Sequence, residues 1–359
     1  MPTDLPEVPP VSLKRQYCSI QPVPPRQFPA NVDPARADAI LVVDKKWVNG
    51  TVLHYHFMET PEEIVGTEAL KNVVRRAFDI WTAVGIGIKF QEIDSMAQAE
   101  VRIGFKQGDG SWSSVGRDVL NVPSNERTMN FGWDLTRALR EIDTAVHEIG
   151  HTLGLPHEHQ NPKSGIVWNE QAVFDSLGGD PNFWAHDKTQ FNIIRKIAPD
   201  TVQGSNWDHD SIMHYPFEGG LIQEPAEFRN GLTPAGGLSE RDKTWIRTFY
   251  PPLTGVHPRE LKVVESQKLS VDPGEQADFL FKPTVSRVYK IGTFGSSDTV
   301  MVLFERPNTG DPIFLAGDDD SGEDRNALIE TRLIAGRTYI VRIRLFAADI
   351  AGETAVMIS

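Results

Sequence analysis

Eleven consecutive residues, His147-Glu148-Ile149-Gly150-His151-Thr152-Leu153-Gly154-Leu155-Pro156-His157, constrain this 359-residue chain more than any other feature. On a helix, positions i and i+4 face the same way, so His147 and His151 present two imidazoles to one cation. Glu148 stands beside the first of them, where its carboxylate can take a proton from a zinc-activated water. Gly154 lets the helix stop and the chain turn sharply, because glycine adopts the left-handed conformation at little cost. His157 then returns toward the cation as a third nitrogen ligand. Three protein ligands leave a fourth position open, the pattern of a catalytic zinc site rather than a closed structural one. Three of the chain's ten histidines fall in this spacing with the glutamate and glycine in place, which argues against a chance scatter.

The rest of the chain divides around this segment. Residues 1–37 are rich in proline, which fixes φ and removes a donor, so they read as an extended arm or pro-segment. Strands are expected over residues 39–43 and 51–57, joined through Asn49-Gly50, and again over 86–92 and 100–105. Leu70, Val73, Val74, Ala77, Phe78 and Trp81 recur at helical spacing and predict a helix over 68–84. A second helix, carrying the two histidines, is expected over 135–153. Two short helical patches follow, and Ser239-Glu240-Arg241-Asp242 reads as the capped start of a last helix that Pro251-Pro252 stops. Residues 251–258 form a linker. Beyond it, segments at 277–281, 287–291, 300–304, 327–333 and 338–345 are short, rich in β-formers and separated by turn residues, which predicts a small all-β sandwich over 258–359.

Composition narrows the partners. A formal net charge of −13 with no clustered basic stripe disfavours nucleic acid and anionic membrane surfaces. No run of residues is apolar for long enough to span a bilayer, and the first residues carry no basic and apolar leader pattern. With a single cysteine, Cys18, the chain makes no intramolecular disulfide.

A second element, Ser211-Ile212-Met213-His214-Tyr215, places its methionine 56 residues after His157. Together with the helix segment it resembles the methionine turn of metzincins. The third histidine is followed by Glu158, and Lys46-Trp47-Val48-Asn49-Gly50, Gly110-Ser111-Trp112-Ser113-Ser114-Val115-Gly116-Arg117 and Leu238-Ser239-Glu240-Arg241-Asp242 complete a resemblance to the astacin family. That resemblance implies an α+β metzincin catalytic domain over 38–252, with a twisted mixed sheet, an active-site helix and an open cleft. It also implies a zinc endopeptidase acting on proteins or peptides in an extracellular setting. His147, His151 and His157 would bind one zinc, with Glu148 as general base and then acid. Tyr215 would serve as a fifth ligand that swings away to stabilise the transition state, Met213 would form an apolar floor, and Glu158 would be structural. Residues 216–229, after the turn, are expected to line the pocket for the residue following the scissile bond.

Two departures from that pattern stand out. The family's disulfides are missing, and Ser111 occupies a position where a cysteine is common. Cys18, in the arm, could occupy the fourth zinc position and exclude water, a latency device of the logic used by matrix metalloproteinases. Astacin pro-segments resemble an aspartate switch instead, for which Asp33 is the candidate. His54 and His56 share a strand face but lack a third metal partner, and His159 and His214 are expected to flank the site without ligating. The acidic run 318–324 offers calcium ligands but lacks the spacing of a calcium loop, which favours a solvated turn. The C-terminal module resembles the sandwich domains that follow bacterial secreted peptidases. A protein that binds through this module and keeps the metzincin domain as a scaffold is the alternative reading, and an intact Glu148 argues against it.

Overall fold

The computed structural model describes residues 16–20, 47, 51–197, 206–250, 252, 259–347 and 350–359. The strand expected over 39–43, the Asn49-Gly50 turn, Asp33, and most of the arm and linker lie outside the described residues.

The first unit is built on a five-stranded sheet. Strand β1 (Val52–Phe57) is followed by helix α1 (Glu68–Ala83), β2 (Lys89–Glu92), β3 (Val101–Gly104), β4 (Trp112–Ser113) and β5 (Met129–Asn130). Their order is β2-β1-β3-β5-β4. The first four in that order run parallel, whereas β4 is antiparallel at the edge, with Trp112 opposite Asn130. The sheet is therefore mixed, as expected. Thr67 caps α1 by accepting from the Leu70 N–H, and Val73, Val74, Ala77, Phe78 and Trp81 bury the helix's apolar stripe.

Helix α2 (Ile142–Thr152) packs on α1, where the Trp81 indole N–H donates to the Val146 carbonyl at 2.9 Å. Every residue from Ala145 to Thr152 is buried. This helix begins seven residues later than its sequence pattern predicts. The cause is local: Asp134 Oδ1 accepts from both the backbone N–H and the hydroxyl of Thr136, closing a turn that competes with helix. Leu135 still reaches the core, but from that turn.

After α2 come β6 (Val167–Trp168), α3 (Glu170–Gly178) and α4 (His186–Thr189), the last running into a π turn at Gln190–Ile194. Short strands β7 (Phe217–Glu218), β8 (Ile222–Glu224) and β9 (Gly231–Leu232) follow. The unit closes with α5 (Glu240–Phe249), whose N-terminus is a capping box between Ser239 and Asp242. Two apolar clusters lie on either side of the site. One gathers α1, α2 and the sheet, and the other gathers Trp168, Trp184, Tyr215 and Phe217 around α3, α4 and the short strands.

The second unit is a two-sheet sandwich of β10 (Arg259–Glu260), β11 (Gln267–Val271), β12 (Gln276–Phe281), β13 (Arg287–Phe294), β14 (Thr299–Arg306), β15 (Ile313–Asp318), β16 (Leu328–Leu333), β17 (Thr338–Leu345) and β18 (Gly352–Ile358). The sheets are ordered β10-β12-β17-β14-β15 and β11-β18-β13-β16. Phe279, Tyr289, Met301, Tyr339 and Val356 fill the space between them. The acidic run at its edge fastens a turn: the Asp318 carboxylate accepts from the Ser321 N–H, the Ser321 hydroxyl and the Leu328 N–H.

Candidate metal centre and cleft

The end of α2 sets the geometry of the site. The last carbonyls of a helix have no partner within it. Here the Trp47 indole N–H donates to Thr152 O at 2.7 Å, and the Tyr250 hydroxyl donates to Leu153 O at 2.7 Å. The Leu155 N–H closes back on Gly150 O, and Gly154 takes φ +92°, so the chain reverses and carries His157 beside His151.

His147, His151 and His157 are all buried, as is Glu148. His147 Nδ1 lies 2.7 Å from Ile212 O, and His151 Nδ1 lies 2.7 Å from Leu155 O. A carbonyl only accepts, so both Nδ1 atoms carry the proton and both Nε2 atoms present lone pairs inward. His151 Nε2 lies 3.0 Å from His157 Nε2, and His147 Nε2 has no hydrogen-bond partner despite complete burial. Converging lone pairs with an orphaned nitrogen call for an electrophile at their focus.

The fourth donor comes from the arm. Cys18 is buried, and its Sγ joins the three imidazoles in a group whose ligand atoms lie within 4.8 Å of one another. It also lies 3.4 Å from Glu148 Oε2. Three imidazoles and a thiol at this spacing fit a single zinc ion, which prefers tetrahedral nitrogen and sulfur donors. Burial shifts each group toward its neutral form: it pushes Glu148 up to about 8 and the Cys18 thiol well up, and it pulls His147 down to about 4 and His157 well down. A dication supplies the charge that this desolvated set lacks.

Tyr215 reaches the same place. Its hydroxyl donates to Cys18 O at 2.6 Å and lies 2.5 Å from His157 Nε2. Met213 is buried beneath the helix. A Cβ built on Gly150 would lie 2.4 Å from the Met213 sulfur, so the glycine inside the helix motif is what allows the methionine to approach. Asp242 holds the turn from behind, accepting from the Ser211 hydroxyl at 2.6 Å and the Ile212 N–H at 2.8 Å. Glu158 ties the third histidine's segment to both flanks. Its N–H donates to Met213 O, and its carboxylate accepts from the Asp208 N–H and the Asn161 amide.

Other histidines lie apart from the cluster. His54 sits against Glu100, and His56 Nδ1 bonds Ile93 O, so β1 holds them separately. His159 donates to Asn192 O and stacks on His157, while His214 Nδ1 bonds Tyr215 O. Gly150, Asp242, Trp47 and Tyr250 support the site through contacts between distant segments, and only the motifs around Trp47 and Asp242 carried any signal of them.

The family model described as Astacin, a family of peptidases, matches residues 40–221, just over half of the chain. The chain belongs to the astacin family. Among solved structures, one titled "Structure of myroilysin" aligns with a TM-score of 0.53 at 33% identity, covering 58% of this chain and 97% of that one. Zinc metalloproteinase nas-6 of Caenorhabditis elegans is 26% identical over 57% of this chain and 58% of its own length. Metalloendoproteinase 1-MMP of Arabidopsis thaliana is 34% identical over 32% of this chain and 36% of its own length. The chain thus spans just over a third of that plant relative, and 21% of Protein SpAN of Strongylocentrotus purpuratus. The family implies a catalytic zinc, and the histidine-rich site accommodates one. Among the described residues, no helix is long and apolar enough to cross a membrane.

Proposed function

We propose that this astacin-family chain is a zinc endopeptidase held latent by its own N-terminal arm. The observation that carries the reading is the buried four-donor group of Cys18, His147, His151 and His157 with Glu148 alongside. His147, His151 and His157 would hold the zinc, with Cys18 in the fourth position of the latent chain. When bound, zinc supplies Lewis-acid polarisation of a peptide carbonyl and a lowered pKa for water.

The chain's own residues supply the rest. Glu148 accepts a proton as the water oxygen bonds to the peptide carbon, and returns it to the amine nitrogen as the C–N bond breaks. The Tyr215 hydroxyl donates to the carbonyl oxygen as it gains charge, the role it already fills toward Cys18 O. Met213 and Glu158 are structural, and residues 1–37, 38–252 and 258–359 act as pro-segment, peptidase and accessory module. Placement of Glu148 beside the metal ligands supports an enzyme over a scaffold.

Latency follows from occupancy, because a thiol in the fourth position displaces water. The test is digestion of an unfolded protein by full-length wild type, Cys18→Ala and Cys18→Ala/Glu148→Gln chains supplied with zinc. Expected are internal cuts by Cys18→Ala that a chelator abolishes, little cutting by wild type and none by the double variant. Equal activity of wild type and Cys18→Ala would remove the latency claim. Absence of cutting by every form, including chains nicked within the arm, would remove the peptidase claim.

A further inference from the structure

Among the described residues of the arm, Tyr17 enters the cleft beside Cys18. Tyr17 is buried, and three rings enclose it: Phe217 stacked at 5.9 Å and 23°, Tyr215 at 5.4 Å and Trp184 edge-on at 6.5 Å. Phe217 lies just beyond the methionine turn, Tyr215 belongs to the turn, and Trp184 comes from the segment between α3 and α4.

The backbone around Tyr17 is bound as a peptide ligand would be. The Tyr17 N–H donates to Asn182 Oδ1 at 3.1 Å, the Ser19 N–H to Ser111 O at 3.2 Å and the Ile20 N–H to Asn192 Oδ1 at 2.8 Å. Between them the Cys18 carbonyl accepts from Tyr215. Ser111 directly precedes β4, the edge strand of the sheet, so the arm meets that edge through one backbone bond, with one side chain at the metal centre and its neighbour in a ring-lined pocket.

We infer that the pocket of Trp184, Tyr215 and Phe217 is the enzyme's specificity pocket, that it selects an aromatic side chain on the residue following the scissile bond, and that Tyr17 occupies it in the latent chain. The inference rests on the peptidase reading above. Ring faces and edges at these separations favour another aromatic ring over an aliphatic chain of similar area.

The experiment uses the full chain carrying Tyr17→Ala, with Tyr17→Leu as a second variant in case the alanine chain does not fold. Binding of N-acetyl-tyrosinamide, N-acetyl-leucinamide and N-acetyl-aspartamide is followed by NMR line broadening. Expected is saturable binding of the tyrosine amide to the variant, about tenfold or more tighter than the leucine amide, and none to wild type, whose pocket is filled. Equal affinity for the leucine amide, or preference for the aspartate amide, would overturn the inference. Cut sites in a peptide mixture are then mapped with zinc supplied, in a full chain that carries Cys18→Ala beside the Tyr17 substitution so that no thiol holds the fourth metal position. Enrichment of Tyr, Phe or Trp after the cut supports the assignment, and enrichment of another class, or at another position only, refutes it. A chain with both substitutions that binds the tyrosine amide yet cuts nothing would count against the peptidase reading while leaving the pocket's preference for rings intact.

Discussion

Replacing Asp242 should unfasten the metal centre from a position that touches none of its ligands. Its carboxylate accepts from the Ser211 hydroxyl, the Ile212 N–H and the Ser239 N–H, and it is buried. Ile212 in turn offers the carbonyl that orients His147. In Asp242→Ala, two backbone N–H groups and one hydroxyl lose their acceptor. At about 1–3 kcal/mol for each of the three orphans, the chain should lose about 3–9 kcal/mol. In Asp242→Asn the amide oxygen can keep both N–H groups and Ser211 can turn to accept, so only the charge assistance is lost, about 1 kcal/mol per bond. Part of that is offset, because burial already pushes the Asp242 carboxyl above its usual range. About 1–3 kcal/mol is expected for the asparagine.

The assay is urea unfolding followed by tryptophan fluorescence. All eight tryptophans lie between Trp47 and Trp245, so the signal follows the zinc-site unit and not the sandwich. Zinc affinity, measured by competition with a chromophoric chelator, should fall about 10–100-fold in the alanine variant, as is usual when a group orienting a ligand is lost. An alanine variant within ~1 kcal/mol of wild type would refute the hydrogen-bond argument. Full loss of stability with unchanged zinc affinity would refute the link through Ile212.

Gly150→Ala gains about 1 kcal/mol of helix propensity but forces the Met213 sulfur away from a Cβ at 2.4 Å, so overpacking of about 1–3 kcal/mol should leave it less stable, and pairing it with Met213→Ala should restore much of the loss. Tyr250→Phe strips the acceptor from the Trp47 N–H and the donor from Leu153 O, and should cost about 2–4 kcal/mol in the same urea assay. A cost below that of an exposed Tyr→Phe control would show that water replaces the hydroxyl. Arg75 grips Glu92 through two bonds of 2.7 and 2.8 Å, and this holds the Glu92 carboxyl below its usual value. A lowered carboxylate pKa means stability that is fully present above the unfolded value and lost as the pH falls through the folded one. The pair is partly exposed, so the difference between wild type and Arg75→Met should be about 0.2–1 kcal/mol at neutral pH and shrink as the pH falls through the folded value of Glu92. A difference that grows on acidification would reverse the sign argument.

What the sequence disclosed follows the range of the interactions involved. The zinc helix, its glycine stop, the stripe of α1 and the cap of α5 depend on neighbours within a few residues, and all were readable. The start of α2 was misplaced because the side chain of Asp134 overrides a helical pattern that continues through Leu135. Strand β15 went unread because Ile313, Phe314 and Leu315 are all exposed, which removes the alternation that marks a strand. Gly150 looked like an ordinary member of its motif. Its requirement becomes visible only when Met213, 63 positions away, is brought under it.

The arm shows the same limit and explains why a lone cysteine could be suspected but not placed. Thiol chemistry made Cys18 a candidate ligand. Its position, however, depends on Asn182, Asn192, Ser111 and Tyr215, four residues from three parts of the chain that fasten the backbone on both sides of it. None of these contacts requires the cysteine itself. Removing the thiol should therefore free the fourth metal position and weaken the arm's hold enough for some cutting without releasing it fully, whereas removing Tyr17 should loosen the arm with the thiol still able to bind. If the two act on separate parts of one fastening, the rise in activity from Cys18→Ala and Tyr17→Ala together should exceed the product of the single rises. Combined rises no greater than the larger single one would mean that thiol release alone clears the cleft.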